Sequence, residues 1–411
     1  MTHPTFKDMM QDVVSWGSCC ECGSCVLVCP HNVIEYVDGK PKQTAKAAAA
    51  HDYCGISEGI GCDVCAAVCP RLYPKEWNLK DLLFGNGRPY EGAFGTYRTI
   101  QVARAKDPGM LAAGEDGGVV TTILEWAMRE GVIDGAVAAS LDGTLPCQPA
   151  PTVVTSPEEL RKTAKSWYTY VPNNLGLEEV KKKGLEKVAF VGVPCQITPI
   201  RKMELCDPDF IKTPDKRPKI VEKQEEFLTG FGRRVALSIG LFCTEVFNYQ
   251  GLMVEKIQGE LGVPLSEVVK FNVKGKVLVY KKDGEIVELN LKECATNYGR
   301  PECHHCGDFS AELADIACGG VGAMGWTIVV ARTPRGEEIW NRVAASGLVE
   351  VKPIEDFEKS RRVLEILAAR QTKRVPRGTR LRGMPRASLE GGVVQRTGTE
   401  PIETGTPWDD A

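Results

Sequence analysis

The 411-residue sequence lacks both a strong charge imbalance and a long apolar run. Its 51 basic and 54 acidic residues nearly cancel, so the total charge does not suggest a nucleic acid or an acidic substrate as a binding partner. The longest apolar stretches, such as Val188–Val193 and Val235–Phe242, are too short to cross a membrane. The N-terminus does not resemble a secretory signal. We therefore expect a cytoplasmic protein, peripheral to a membrane only where a partner complex carries it there.

Cysteine, by contrast, is abundant, with 17 residues in the chain. Two short runs near the N-terminus end in Cys29-Pro30 and Cys69-Pro70. In paired runs of this type, three cysteines ligate one iron–sulfur cube and the cysteine before proline ligates the other. The runs therefore predict two [4Fe–4S] clusters, one held by Cys19, Cys22, Cys25 and Cys69 and the other by Cys54, Cys62, Cys65 and Cys29.

Disulfides and zinc are the alternatives for these cysteines. Disulfides need an oxidising compartment, and zinc sites usually pair two CxxC motifs across a longer spacer. The second run departs from the usual spacing because seven residues separate Cys54 from Cys62, which weakens Cys54 as a ligand. Cys20 exceeds the ligand count and is interpreted as a bystander.

Composition and apolar periodicity divide the chain into four predicted parts. Residues 1–77 form a small bacterial-type 2[4Fe–4S] ferredoxin-like domain, residues 78–97 a linker, residues 98–370 the core, and residues 371–411 an irregular basic tail rich in Pro and Gly. Within the core, predicted strands alternate with helices, which indicates an α/β (α+β) fold. The charged segment 207–232 is predicted to be a surface insertion.

Four further cysteines stand at positions that favour a third metal site. Cys195 and Cys243 follow predicted strands, and Cys303 and Cys306 form a CxxC motif. Because the ends of parallel strands meet at one sheet edge, a nearby CxxC loop completes a four-thiolate set. Such a set suits a [4Fe–4S] cluster or zinc, and the two clusters already predicted favour iron–sulfur over zinc or buried thiols. The other cysteines, Cys147, Cys206, Cys294 and Cys318, are interpreted as structural.

A glycine pair at the start of a predicted helix suggests a nucleotide site. In Asp116-Gly117-Gly118-Val119, the glycines let the backbone approach a ligand, and the N–H groups of the helix start favour phosphate. This segment, with Thr121 and Thr122 in the following turn, suits the pyrophosphate of FAD. A literal G-x-G-x-x-G over Gly320–Gly325 precedes a predicted strand and opens no helix, so a Rossmann nicotinamide site is not predicted there.

Several of these segments together resemble the beta-subunit family of coenzyme F420 hydrogenases and dehydrogenases. The matching segments are Gly117–Thr121, Pro194–Gln196, Gly240–Cys243 and Cys303–Ile316, within a resemblance that covers residues 95–350. With its N-terminal module, the chain is most similar to the F420H2-oxidising input subunit of archaeal respiratory complexes. Beta subunits of F420-reducing hydrogenase and of formate dehydrogenase are similar in the core.

The resemblance implies a non-Rossmann FAD site, one core [4Fe–4S] cluster on Cys195, Cys243, Cys303 and Cys306, and coenzyme F420 as substrate. The deazaflavin of F420 stacks on the flavin and exchanges hydride with it, so no acid or base is required and no catalytic side chain is predicted. Lys165, Ser166 and Tyr168 are further candidates near the flavin because of their position along the chain.

The predicted function is that of an F420-dependent oxidoreductase subunit. It connects F420, through FAD and three [4Fe–4S] clusters, to a partner such as a hydrogenase, a formate dehydrogenase, an F420H2 dehydrogenase or a disulfide reductase. One alternative is a ferredoxin-dependent reductase of another substrate on the same scaffold. The other is a non-enzymatic electron-wiring subunit. Neither a nucleic-acid partner nor a transmembrane segment is expected.

Overall fold

The structure is a computed structural model that describes residues 4–44, 50–72, 77–85, 90–206, 218–375, 387–390 and 393–396. Its strands are β1 (Ile34–Val37), β2 (Lys40–Gln43), β3 (Tyr90–Gly92), β4 (Gly95–Tyr97), β5 (Thr99–Ala105), β6 (Gly135–Ser140), β7 (Ala150–Val154), β8 (Val188–Gly192), β9 (Val235–Leu241), β10 (Val268–Val273), β11 (Lys276–Lys281), β12 (Ile286–Asn290), β13 (Ile316–Gly319), β14 (Thr327–Ala331), β15 (Val349–Pro353), β16 (Ala387–Glu390) and β17 (Val393–Arg396).

The α-helices are α1 (Phe6–Met9), α2 (Ser24–Leu27), α3 (Gly55–Ile60), α4 (Val64–Ala67), α5 (Trp77–Phe84), α6 (Pro108–Ala113), α7 (Val119–Arg129), α8 (Pro157–Leu160), α9 (Gly176–Lys182), α10 (Pro194–Leu205), α11 (Pro218–Gly232), α12 (Leu291–Tyr298), α13 (Pro334–Ala345) and α14 (Glu358–Arg374). Two π-helical segments span Met10–Ser15 and Tyr249–Glu260, and 3-10 turns span Arg161–Thr163, Asn173–Leu175, Leu265–Glu267, Pro301–His305 and Ile354–Phe357. Within the described ranges, no helix combines the length and apolarity needed to cross a membrane.

An eight-stranded mixed sheet forms the centre of the core, in the order β15-β5-β14-β13-β9-β8-β6-β7. Strands β13, β9, β8 and β6 run parallel, and the flanking pairs are antiparallel. Every residue of β8 is buried, as expected for a parallel strand covered on both faces, which reads as an apolar run in the sequence. The predicted mixed α/β core is confirmed.

One edge of this sheet collects the segments that carry chemistry. Because β5 runs antiparallel to β14, and β14 antiparallel to β13, β5 points in the same direction as the parallel strands. The carboxyl ends of β5, β13, β9 and β8 therefore lie along one edge, which is where ligands bind in open α/β sheets. The glycine loop before α7 follows β5, and Cys243 and Cys195 follow β9 and β8.

A separate three-stranded antiparallel sheet, β10-β11-β12, packs beside this edge. Its hairpin between β11 and β12 turns at Asp283-Gly284, as the sequence predicts. Lys270 on β10 donates hydrogen bonds of 3.0 Å to the carbonyls of Gly114 and Glu115, so the small sheet lies against the glycine loop.

The ferredoxin-like module contains the predicted hairpin β1–β2 and packs directly on the core. Val28, Val64 and Val68 are buried in the same apolar cluster as Phe190 and Ile200 of the core. The segment predicted as a linker, 78–97, instead contains most of α5 and the hairpin β3–β4. It is structured because Phe94, in that hairpin, is buried to 1% exposure in the shared cluster.

The predicted surface insertion and the predicted irregular tail also differ from the structure. The described part of segment 207–232 is helix α11, whose Val221, Leu228 and Phe231 are buried in the core; the apolar spacing of a helix outweighs the surrounding charge. The predicted irregular tail begins inside α14, which continues to Arg374, and it contains the strand pair β16–β17. Residues 207–217, 376–386, 391–392 and 397–411 lie outside the described residues.

A buried network of ion pairs and hydrogen bonds connects β9, the start of β13, α10 and the first turn of α13. Asp315 is fully buried and accepts hydrogen bonds of 2.8 Å from the backbone and the hydroxyl of Ser238. The guanidinium groups of Arg201 and Arg335 each lie 2.9 Å from its carboxylate oxygens. Burial alone would raise the pKa of Asp315, but these two guanidinium groups hold it well below its ordinary value.

We expect the substitution Asp315→Asn to lower the free energy of unfolding by about 3 kcal/mol, because it removes the buried one of the two carboxylates that pair with the Arg201 guanidinium and leaves only that of Glu204. Since the pKa of Asp315 is depressed in the folded state, its contribution is present above about pH 4 and is lost as the pH falls below that value. Denaturant unfolding at neutral pH measures the loss. Asp283→Asn, at the exposed turn, is the control and should change stability by less than ~0.5 kcal/mol; equal losses would contradict the prediction.

Candidate functional site

The four core cysteines line a single cavity at the carboxyl edge of the sheet. Cys195 lies in the first turn of α10, which begins directly after β8, and Cys243 lies two residues after β9. Cys303 and Cys306 lie on and beside the 3-10 turn Pro301–His305. The N–H of Arg300 donates a 3.1 Å hydrogen bond to the carbonyl of Val246, which ties this turn to the chain after β9.

The donor chemistry of this cavity fits a thiolate-bound group. Burial raises the pKa of Cys243 well above its ordinary value, and it raises that of Cys303 to about 11. A set of four thiolates is typical of iron–sulfur clusters and of zinc. In the described part of the chain, no three His, Cys, Asp or Glu side chains are already positioned to hold one metal ion. The four thiols instead surround the cavity.

Several thiols of the N-terminal module lie near one another. Burial raises the pKa of Cys25, and the neighbouring thiols of Cys19 and Cys69 raise it further. Cys65 likewise has Cys25, Cys29 and Cys62 as neighbours. The cysteine before each proline is thus beside the other run, and Cys25 adjoins both sets. Their roles as ligands stay a prediction.

Cys20 differs from its interpretation as a bystander. It is buried and lines the core cavity together with Cys195, although it belongs to the N-terminal module. The thiols of Cys195 and Cys22 donate hydrogen bonds to it, which lowers its pKa well below the ordinary value. The sequence could not predict this contact, because it depends on tertiary packing. The loop that carries Cys19 and Cys22 turns the side chain of Cys20, which lies between them, toward the core.

Charged side chains from both units meet around this cavity. Arg300 of the core pairs with Glu21 of the module at 2.5 Å, and Lys40 of the module pairs with Glu302 of the core at 2.8 Å. The Arg300 guanidinium also stacks over the ring of Tyr170 at 4.3 Å. The Tyr170 hydroxyl lines the cavity and has no hydrogen-bond partner among the described residues. A buried hydroxyl without a partner is expected where a ligand occupies the cavity and supplies the missing hydrogen bond.

The glycine loop lies at the same edge, at the end of β5. Gly117 and Gly118 adopt φ values of 47° and 65°, which side chains rarely tolerate. A Cβ atom at Gly117 would lie 2.6 Å from the Thr327 hydroxyl, and one at Gly118 would lie 2.7 Å from the Met110 carbonyl. The protein's own packing therefore requires both glycines. Val119, Thr121 and Thr122 are buried in the first turn of α7.

The segment 165–168 brings two hydroxyl groups to this glycine loop. Tyr168 donates a hydrogen bond to the buried carboxylate of Glu115, and Ser166 donates a second one. Lys165 points instead to the carbonyl of Val269, at 3.1 Å. Lys165 and Tyr168 have φ values of 92° and 56°, and such left-handed backbone at non-glycine residues is concentrated at functional sites.

Lys270 and Lys274 of the small sheet contribute positive charge to the same place. Lys274 lies 2.6 Å from the carboxylate of Asp116 and 2.7 Å from the carbonyl of Gly320. Lys270 donates to the two loop carbonyls described above. Together with the N-terminus of the 11-residue helix α7, whose first N–H groups have no partner within the helix, these ammonium groups form a cradle in which Lys274 already pairs with Asp116. Helix N-termini are a type of site that can bind phosphate.

Strand spacing gives the separation of the two candidate sites. Asp116 in the glycine loop contacts Thr327 at the start of β14, and Cys243 follows β9. β13 lies between β14 and β9, so two interstrand spacings, about 10 Å, separate the two places along the edge.

Comparisons with known proteins agree with this geometry. Residues 100–178 and 185–357 match the two family models of the coenzyme F420 hydrogenase/dehydrogenase beta subunit, which describe its N-terminus and its C-terminus respectively. The beta subunit of coenzyme F420 hydrogenase from Methanosarcina barkeri is 35% identical over 277 residues, which cover 67% of this chain and 88% of that protein. The chain belongs to the coenzyme F420 hydrogenase/dehydrogenase beta-subunit family.

Other comparisons find similar proteins whose names refer to redox enzymes that use coenzyme F420. The structure of the F420-reducing [NiFe] hydrogenase complex from Methanosarcina barkeri includes a chain that matches with a TM-score of 0.60 and 34% identity, over 69% of this chain and 91% of that one. The coenzyme F420-dependent sulfite reductase of Methanocaldococcus jannaschii is 34% identical over 86% of this chain, and this chain spans 50% of its length. One of the subunits of the F420H2 dehydrogenase of Methanosarcina mazei is 31% identical over 81% of this chain and 84% of that protein.

The comparisons confirm two predictions made from the sequence. The predicted family is correct, and residues 12–35 of the N-terminal module match a 4Fe-4S binding domain. The residues that sequence reasoning missed in this F420 beta-subunit family member are Cys20, Arg71, Glu115, Lys270 and Lys274. Only Cys20 carried a signal, as an extra thiol inside a ligand run. The lysines lie more than 150 positions from the loop they contact, and no local pattern relates the two.

We expect Gly118→Ala to lower the melting temperature even when no flavin is present, because the added Cβ would lie 2.7 Å from a backbone carbonyl. Gly131→Ala is the matched control, since Gly131 has a similar φ of 66° but open space around it. The control isolates the conformational cost of about 1–2 kcal/mol. Thermal unfolding of the two variants would contradict the prediction if their melting temperatures fell equally.

Proposed function

We propose that this chain exchanges hydride with coenzyme F420 through a bound FAD and relays single electrons through three [4Fe–4S] clusters to a partner redox enzyme. The observation that carries the proposal is the shared sheet edge, where the cradle for a pyrophosphate lies about 10 Å from the four-thiol cavity. Two relatives, one named as the beta subunit of an F420 hydrogenase and the other as part of an F420H2 dehydrogenase, support F420 as the coenzyme.

The glycine loop and its neighbours would hold FAD. The N-terminus of α7 and the ammonium groups of Lys270 and Lys274 would bind the pyrophosphate, while the hydroxyls of Ser166 and Tyr168 keep the buried Glu115 carboxylate hydrogen-bonded. FAD, when bound, supplies the exchange between a two-electron hydride and single electrons. The protein needs only to position the two ring systems, which agrees with the prediction of no catalytic acid or base.

The order of the clusters in the proposed relay follows from which thiol sets are neighbours. Cys195, Cys243, Cys303 and Cys306 would hold the cluster next to the flavin. Cys20 connects this cavity to Cys22 of the first module set, and Cys25 adjoins Cys65 of the second set. The set of Cys54, Cys62, Cys65 and Cys29 is thus the outermost one.

The outermost set lies beside exposed apolar side chains. Tyr53 and Ile60, which flank the Cys54 segment, are 43% and 49% exposed. A redox partner would dock at this face and take or supply electrons there. A hydrogenase, a formate dehydrogenase, an F420H2 dehydrogenase or a disulfide reductase would each suit such a partner, and a cytoplasmic location agrees with all of them.

The test uses the purified, iron-replete chain under anaerobic conditions. We expect it to contain one FAD per chain and to oxidise reduced F420 with a viologen as electron acceptor, measured by the recovery of absorbance at 420 nm (a property of the coenzyme). Replacing Lys274 by Gln should weaken FAD binding because it removes a charge from the cradle, while Lys282→Gln, at an exposed site of the same sheet, should not. A folded, iron-replete protein without flavin would overturn the proposal.

The assignment of the core cluster has its own test. We expect Cys243→Ser to lose about four iron atoms per chain, one [4Fe–4S] cluster, since it removes a thiolate ligand. Flavin reduction by reduced F420 should persist, while electron transfer to viologen slows. Cys318→Ser is the matched control, because Cys318 is also buried and its carbonyl accepts a hydrogen bond from the neighbouring Phe242. Unchanged iron content in Cys243→Ser would contradict the assignment.

One observation favours a second candidate function, the electron-wiring subunit. The packing of Gly117 and Gly118 against protein atoms requires glycine whether or not a flavin binds, so the glycine pair alone is not evidence for FAD. Flavin absorbance after mild denaturation separates the two functions: its absence, together with three intact clusters, would favour wiring.

A further inference from the structure

Arg71 reaches from the ferredoxin-like module into the core thiol cavity. It follows Cys69-Pro70, its side chain is buried to 4% exposure, and it lines the cavity together with Cys195 and Cys306. A buried guanidinium is costly unless charge or hydrogen bonds compensate it. Its partners therefore indicate what this position is for.

The partners of Arg71 are backbone carbonyls and not carboxylates. Its Nη1 group donates to the carbonyl of His305 and its Nη2 group to that of Glu302, at 3.3 Å. Its Nε group has no partner among the described residues, nor does any carboxylate in those ranges lie within ion-pair distance of it. Two hydrogen bonds thus fix the guanidinium on the loop that carries Cys303 and Cys306, and the charge partners that the described residues offer it are thiol groups, those of Cys306 and Cys20 first.

Arg300 provides an internal comparison. It lines the same cavity, but the carboxylates of Glu21 and Glu302 lie 2.5 Å and 3.8 Å from its guanidinium. Its charge is balanced by the protein before any other group binds. Among the described residues no carboxylate pairs with Arg71, so its countercharge comes from the thiols that line the cavity and from a group bound between them.

We propose that Arg71 is a positioning residue of the ferredoxin module that sets the reduction potential of the core cluster, an inference that rests on the proposed function. Reduction adds one electron, supplied by the reduced flavin, and hence one negative charge to a buried cluster. A fixed positive charge stabilises that state, and the free Nε–H is available to a cluster sulfur. Charge, burial and hydrogen bonds to sulfur are the features that set such potentials. Docking of the module on the core thereby raises the potential of the first electron acceptor after the flavin.

The test is a redox titration of the full-length holoprotein monitored by electron paramagnetic resonance. The core cluster is assigned as the reduction step that is missing in Cys243→Ser. We expect Arg71→Gln to make reduction of this cluster at least tenfold less favourable, a fall in midpoint potential of about 59 mV for one electron. Arg71→Lys keeps the charge and should shift the potential less. Arg300→Gln, which removes a balanced charge, should also shift it less than Arg71→Gln.

The outcomes separate this inference from the proposed function. A wild-type chain with flavin but no core cluster would overturn the function, whereas a present cluster whose potential is unchanged in Arg71→Gln would overturn only the role of Arg71. If Arg71→Gln does not retain the cluster, the wild-type protein labelled with ¹⁵N-arginine decides. We expect a ¹⁵N coupling to the reduced core cluster that persists in Arg300→Lys, and the lack of such a coupling would overturn the inference.

Discussion

The parallel register of β8 against β9 is the constraint on which the rest of the site depends. Gly192 lies opposite Gly240, and both positions exclude a side chain: a Cβ at Gly240 would lie 2.2 Å from the methyl of Ala311, and one at Gly192 would lie 2.9 Å from the Gln196 amide oxygen. A slip by one residue would therefore clash as well as turn the apolar side chains to the wrong face. With this register fixed, Cys195 and Cys243 emerge at the same edge, and the CxxC turn needs only to approach that edge.

Side chains of the ferredoxin-like module contact the core, and side chains of the core contact the module. The module places Arg71 and Cys20 in the core cavity, and the core places the Lys202 ammonium 2.6 Å from the carbonyl of Cys69. The shared apolar cluster and the ion pair between Arg300 and Glu21 reinforce this contact. Such an interface holds the thiol sets at fixed separations. Under the proposed function, electrons would pass between clusters on these sets through packing that is already present, and a partner would dock beside Tyr53 and Ile60.

Local sequence signals predicted the parts of the site that local sequence determines. The cysteine spacing, the strands that end near Cys195 and Cys243, and the β11–β12 hairpin all depend on residues that are close in the chain, and the structure has them where they were predicted. The wrong predictions concern residues whose burial or contacts depend on segments far away in the chain. The charge of segment 207–232 concealed Val221, Leu228 and Phe231, which are buried in the core in α11. Cys20 looked superfluous because its contact, Cys195, lies far along the chain. Lys270 and Lys274 reach the glycine loop only through the packing of a second sheet.

The glycine loop shows why a motif and a binding site are different kinds of evidence. Gly117 and Gly118 have to be glycine because Thr327, Ala103 and Met110 crowd them, so their presence would be required in a protein that binds nothing there. What distinguishes a binding site is the surrounding charge. Burial lowers the pKa of Lys270, and a cation held at that cost beside a helix N-terminus is stabilised when an anion binds. If the edge binds the pyrophosphate of the proposed FAD, the lysines of the small sheet would supply the attraction, and the glycines would only bring the backbone close to the ligand.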